Sequence, residues 1–227
     1  MIDKILNFMN NGIPKNDFDR QLLASNLVGA KNLKELNRLE RIITIQKIND
    51  LDINPIKGNF DYQHLKNIHK FIFEYVYVFA GFDRADIGLQ GAFLKGNQHF
   101  VPGNEIKKYS KIIFDELKEQ NYLKNSKDLN QFAKNTANFI MELNALHPFR
   151  EGNGRTQRIF INQLAKNAGY KLDLNLISKE NMIMACIEAS QLKPWRLEAL
   201  IKTNLKSLKQ NLDRDCRVNL SQYNLKE

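Results

Sequence analysis

His147-Pro148-Phe149-Arg150-Glu151-Gly152-Asn153-Gly154-Arg155-Thr156-Gln157-Arg158 gathers an imidazole, a carboxylate, a glycine-rich turn and two flanking arginines into one short run. The imidazole of His147 titrates near neutrality and can take a proton from an attacking hydroxyl. Glu151 is a hard oxygen ligand of the kind Mg²⁺ uses alongside phosphate and water. Gly152 and Gly154 allow positive φ and a close backbone approach, and Asn153 tolerates the left-handed region better than most residues. A helix beginning here points its unpaired N–H groups and positive dipole end at the same place, which makes an anion site. Arg155 and Arg158 share a face of that helix, and each guanidinium matches a pair of phosphate oxygens. The bland alternative is a basic loop before an ordinary helix, with a core histidine. Parts in this order and at this spacing favour phosphate chemistry.

The run resembles the Fic motif, H-x-F-x-[DE]-G-N-G-R-x-x-R, at every fixed position. Looser similarity runs from about Leu33 to about Leu200. The resemblance implies an all-α, Fic-type helical bundle with one β-hairpin flap beside the active site. It implies a protein adenylyltransferase that moves AMP from ATP to a Ser, Thr or Tyr hydroxyl of a target protein. Catalytic His147 would be the base. Glu151 would hold Mg²⁺. The backbone of Gly152, Asn153 and Gly154, with Arg155 and Arg158, would bind the nucleotide phosphates, Arg158 at the γ-phosphate. Phe149 would be buried and hold the loop. Doc-type relatives, which phosphorylate instead, depart from the G-N-G-R portion that is intact here.

Upstream of the run, residues 128–146 read as a helix, with Leu129, Phe132, Thr136, Phe139, Ile140 and Leu143 inward. It is expected to be the central buried helix and to deliver His147, where Pro148 stops it. Downstream, a helix is expected from Gly152 to Ala168, with Ile159, Phe160, Leu164 and Ala165 inward and Gly169 as its stop. Two further helices are expected, Ser178 to Ala189 and Trp195 to Leu212.

The N-terminal half has helical spacing over Met1 to Asn11, Asp17 to Val28, and from an Asn32 cap with Glu35 as in a capping box. That third helix shows Leu33, Leu36, Leu39, Ile42, Ile43, Ile45 and Ile48 as its core stripe, and Asp50 to Phe60 reads as a loop. Asp61 to Val76 is a strong helix with Leu65, Ile68, Phe71, Ile72, Tyr75 and Val76 on one side. His64 and His69 are five positions apart, off the spacing of a helical metal pair, so a structural role is expected for both. The stretch Ile68 to Phe73 through Phe79-Ala80-Gly81 also resembles the Fic family.

Periodicity breaks between Arg84 and Pro102. Lys95-Gly96-Asn97-Gln98 between short apolar runs reads as a β-hairpin. Gly91 to Gly96 has P-loop spacing, but Asn97 and Gln98 stand where Lys and Ser/Thr belong, which excludes it. The resemblance places the target-docking flap here, at Phe93, Leu94, Lys95, Gly96 and Asn97, where a target segment could add as a strand. A helix capped by Asn104 and running to about Gln120 follows, with Ile106, Tyr109, Ile112, Ile113 and Leu117 inward.

The expected organisation is an N-terminal helical extension (1–32), a Fic domain (33–212) and a polar tail (213–227). The chain has 227 residues and 43% hydrophobic content, that of an ordinary globular protein. No apolar run reaches membrane-spanning length and no signal peptide is visible at the start, so cytoplasmic residence is expected unless a dedicated system exports it. Cys186 and Cys216 form no metal pattern and read as reduced thiols. The net charge of +9 is spread along the chain, so it reads as a solvated surface, with no direct nucleic acid partner.

Many Fic proteins are restrained by a helix bearing [ST]-x-x-x-E-[GN]. No Ser or Thr here is followed by Glu four residues on: Ser25 has Gly29 and Ser221 has Leu225. The resemblance then implies a toxin of a toxin–antitoxin pair, with a small antitoxin supplying the helix and a type II topoisomerase subunit as a candidate target. The alternatives are a secreted effector that acts in a host, and a nucleotide-binding regulatory protein without turnover.

Overall fold

A computed structural model of the chain describes residues 17–95 and 98–207. The helix expected over Met1 to Asn11, the Gly96-Asn97 hairpin tip and the tail lie outside these residues. The described residues are mostly helical and form two compact units, one within 1–89 and 149–156, the other within 90–148 and 157–227.

Among the described residues, the first unit's earliest helix is α1 (Asp17–Ala24), which packs on α2 (Leu33–Ile53). Asn32 caps α2 as expected, its side chain accepting from the Glu35 N–H. The buried face of α2 differs from the expected stripe. Leu36, Glu40, Thr44 and Leu51 turn inward, while Ile42 and Ile45 are 58% and 49% exposed. The helix also runs on into the stretch expected to be a loop. α3 (Tyr62–Phe73), capped by Asp61, packs against α2 and buries Leu65, Ile68, His69, Ile72 and Phe73. It ends short of Val76, and Tyr75 is exposed rather than inward. The unit is completed by residues 149–156, which return to it from far along the chain.

The second unit begins with the expected hairpin, β1 (Phe93–Lys95) against β2 (Gln98–Phe100), in the register Phe93↔Phe100, Leu94↔His99 and Lys95↔Gln98. α4 (Ile106–Glu119) is not capped by Asn104 as expected, because a 3-10 turn over Gly103–Glu105 leads into it without a side-chain cap; it buries Ile106, Ser110, Ile113, Phe114 and Leu117. Its expected inward residues Tyr109 and Ile112 are exposed, because each sits one position before a residue of the buried face, Ser110 and Ile113. α5 (Leu129–Leu146), capped by Asp128, is the central helix. It buries eight side chains and packs against α4, α7 (Lys179–Ser190) and α8 (Trp195–Thr203). α6 (Asn153–Asn167) crosses from the first unit into the second, where Phe160 meets Phe114 and Phe139 at 5.8 and 5.9 Å between ring centroids.

The C-terminal helix corrects the sequence reading. It stops at Thr203 rather than running to Leu212, and β4 (Leu205–Ser207) pairs antiparallel with β3 (Tyr170–Leu172). The expected single hairpin is thus joined by a second short strand pair. Period 3.6 continues through Leu205, but the chain there has a strand partner in Tyr170–Leu172, which begins with the β-favouring Tyr170.

Candidate active site

His147 caps the C-terminus of α5 in the left-handed region, at φ 41° and ψ 58°, its N–H donating to the Leu143 carbonyl at 3.2 Å. Left-handed backbone is uncommon for a residue other than glycine and marks a position held by its surroundings. The surroundings are aromatic. The Phe100 ring lies 4.0 Å from the imidazole and Phe93 6.0 Å, centroid to centroid. The hairpin carrying both is tied to the same helix end by the Val101 N–H, which donates to the Ala145 carbonyl at 3.0 Å. Lys95 and Leu94 lie on β1, Leu94 facing solvent.

Residues 149–156 are built as a loop locked from inside. Asn153 turns its side chain back on Phe149: Oδ1 accepts the Phe149 N–H at 2.9 Å and Nδ2 donates to the Phe149 carbonyl at 2.6 Å. This gives Asn153 a side-chain task beside the expected backbone one. Phe149 is fully buried and stacks on His69 at 3.9 Å and 7°. Gly152 has φ +85°, and a Cβ there would come within 2.3 Å of the Phe73 ring, so no other residue fits. Its carbonyl accepts the Thr156 N–H and hydroxyl, both at 3.1 Å, which starts α6. Gly154 is open, with nothing near the place of a Cβ. Arg150 is buried and anchors the loop to α1 through the Phe18 carbonyl and a cation–π contact of 3.4 Å.

The two arginines have different settings. Arg155 forms an ion pair with Glu40, donates to the Thr44 hydroxyl at 3.3 Å, lies 3.8 Å from Glu151 and covers the Phe73 ring at 4.7 Å. Tyr77 donates its hydroxyl to Glu40 as well. Burial, with Glu40 next, pushes the Tyr77 phenol well above its ordinary pKa, so it stays a donor. Arg158 is half-buried in the second unit and makes no hydrogen bond or ion pair with any described residue. Burial lowers its pKa, opposed by Cys186 and Asp173, but an arginine stays charged. Burial also pushes the Cys186 thiol up to about 11, in keeping with an inert thiol.

Glu151 is part-exposed, and its Oε1 accepts the Gly152 N–H at 3.0 Å. That N–H is therefore taken up by a carboxylate rather than presented alone to phosphate. Among the described residues no group of three or more His, Cys, Asp or Glu could hold a metal. Glu151 fits a hard cation that takes one protein carboxylate and completes its shell from phosphate and water. Burial pushes the His69 imidazole down to about 3, so it is neutral. Sequence reasoning gave His69 a structural role without its partners, and it missed Glu40, Thr44, Tyr77 and Arg150 altogether. The only sequence signal for Glu40 and Thr44 is that they are polar residues on a face of α2 shared with Leu36.

Residues 59–165 match the Fic/DOC family. Over 153 residues the chain is 31% identical to "Probable protein adenylyltransferase Fic" of Escherichia coli, covering 66% of this chain and 72% of that protein. The chain belongs to the Fic/DOC family. Over 198 residues it is 38% identical to "Protein adenylyltransferase VbhT" of Bartonella schoenbuchensis, covering 87% of this chain but only 39% of that longer protein. Among solved structures, the N-terminal Fic domain of a Bartonella quintana protein with bound ADP matches at a TM-score of 0.76 and 32% identity, over 82% of this chain and 92% of that one. The Fic fold expected from the motif is therefore present, and β1–β2 is its hairpin, standing beside His147. Among the described residues no helix is long and apolar enough to cross a membrane.

Proposed function

We propose that this protein is an adenylyltransferase that moves AMP from ATP to a Ser, Thr or Tyr hydroxyl of another protein. The carrying observation is the contrast between the two motif arginines. Arg155 is engaged by Glu40 and Thr44, whereas the half-buried Arg158 has no ion-pair partner among the described residues. A half-buried cation with no hydrogen bond or ion pair among the described residues, acted on only at longer range by Asp173, suits an anion from outside. The ADP bound to the Bartonella quintana relative supports a nucleotide as that anion.

In this mechanism His147 takes the proton of the target hydroxyl. The oxygen forms its new bond to the α-phosphorus of ATP, the bond to the bridging oxygen breaks, and pyrophosphate leaves with the electron pair. Arg158 holds the γ-phosphate, and the N-terminus of α6 at Asn153 and Gly154 faces the phosphate charge. Arg155, fixed by Glu40, braces the loop. Glu151 would hold Mg²⁺, which supplies charge neutralisation across the phosphates when bound. Phe93 and Phe100 orient the imidazole, and β1, with Leu94 outward, is the edge on which a target segment would lie.

The restraint proposed is a separate small antitoxin, since no [ST]-x-x-x-E sequence occurs in these 227 residues. A type II topoisomerase subunit is the first target to test. A second context, export into a host cell, is supported by the Bartonella quintana relative, a VirB-translocated Bep effector protein. The decisive experiment incubates the purified chain with α-labelled ATP, Mg²⁺ and lysate or topoisomerase subunits, beside His147→Ala. A labelled band absent with His147→Ala supports transfer. Labelling that survives His147→Ala refutes the mechanism.

A further inference from the structure

We propose that His69 is the positioning residue that sets the orientation of the Glu151–Gly152 peptide, and through it the metal-binding carboxylate of Glu151. The inference rests on the adenylyl-transfer function proposed above. A trans peptide carries its carbonyl and its N–H on opposite edges. Here both edges are held. His69 Nε2 lies 3.0 Å from the Glu151 carbonyl, and the Gly152 N–H donates to Glu151 Oε1 at 3.0 Å. The other ring nitrogen, Nδ1, accepts the Gly81 N–H at 2.9 Å, which places the imidazole proton on Nε2 and makes it the donor to Glu151.

The ring cannot turn away from this task. It is fully buried, stacked on Phe149 at 3.9 Å and 7°, and lies 4.8 Å from Phe73. Phe73 in turn occupies the space that any side chain at Gly152 would need. Gly152 is thus left with the backbone freedom that would let its preceding peptide rotate. A half-turn would point the Glu151 carbonyl where the N–H now points. A donor beside the carboxylate would become an acceptor, and the carboxylate would lose the contact that aims it. The His69 hydrogen bond opposes that rotation, as outer partners of metal ligands do.

The test is a titration of mant-ATP fluorescence with Mg²⁺ and, separately, in EDTA, using the full chain and His69→Gln, His69→Asn and His69→Phe. Gln can extend an amide N–H to the Glu151 carbonyl, Asn is too short, and Phe keeps the stack alone. Expected are a loss of about tenfold or more in Mg²⁺-supported affinity for Asn and Phe and little change for either in EDTA. His69→Gln should stay within about threefold of the parent. In a Glu151→Gln background, His69→Asn should cost nothing further. If Phe prevents folding by circular dichroism, the Asn and Gln pair decides. Parent-like Mg²⁺ titration of His69→Asn would overturn the inference alone, as would equal losses with and without Mg²⁺. Parent binding indifferent to Mg²⁺ would overturn it together with the metal role of Glu151.

Discussion

At Gly152 the chain needs both a positive φ and the absence of a Cβ. Gly152→Ala forces a left-handed alanine into the Phe73 ring, and overpacking and strain of this kind cost about 1–3 kcal/mol each. Urea unfolding should show that loss, and an unchanged midpoint would contradict the loop geometry. The Glu40–Arg155 pair makes a sharper demand, because Glu40 is only 6% exposed. Arg155→Met strands that carboxylate, and breaking a buried pair costs about 3–5 kcal/mol. Adding Glu40→Gln should recover much of it, since the stranded charge is then gone. His64, with the buried His69, gives the stability a pH dependence. His64 is buried, with Nε2 3.0 Å from the Ile56 carbonyl. Burial holds its pKa below the ordinary imidazole value, against the Ile56 bond and Asp61. The unfolded chain therefore takes up the proton first as pH falls. The His64 contribution is complete above about pH 6.5 and is lost as pH drops towards the folded value. Stability measured in urea should fall between neutral and mildly acid pH through both histidines, and His64→Gln should make that fall shallower while leaving the His69 part. An equally steep fall in His64→Gln would assign it elsewhere.

At the scale of elements, the β1–β2 hairpin has three-residue strands, and a two-stranded hairpin is marginal without support. Its support is the end of α5, through the Val101–Ala145 hydrogen bond and the packing of Phe93 and Phe100 on His147. Phe100→Ala should therefore loosen the strand and the imidazole together. Transfer to the target should drop by about tenfold or more, because misplacing a reacting group is costly, while mant-ATP affinity stays at the parent value. A parallel loss of nucleotide affinity would show that Phe100 acts beyond the base. Helix α2 shows how an element can be legible in position and not in orientation. Its Asn32 cap and length announce a helix, yet Ile42 and Ile45 face outward while Glu40 and Thr44 face in.

For the whole molecule, the first unit is not a continuous stretch of chain. Residues 149–156 supply Phe149 to stack on His69 and Arg155 to pair with Glu40. A fragment ending at Leu89 lacks these partners and leaves Glu40 and His69 without them. It should show no cooperative thermal transition by circular dichroism. A sharp transition would mean that the unit folds without its returning loop. Nucleotide should stabilise the intact chain by mass action, by about 2.7 kcal/mol at a hundredfold excess over Kd. Arg158→Ala should shrink that gain in a thermal shift assay, and an undiminished shift would remove Arg158 from the phosphate site.

From the sequence alone come the family, the motif and most helix positions. These depend on local signals: the Asn32 cap, the turn residues around Gly152, and the periodicity that places α5 before His147. Only the tertiary structure decided which side chains hold the loop in shape. His69, Glu40, Thr44 and Arg150 reach residues up to 132 positions away in the chain. Local pattern cannot register such partners, because burial of a polar group is favourable only when its distant mate arrives with it. The same reason explains β4, where a strand replaces the expected end of a helix once Tyr170 and Leu172 are at hand.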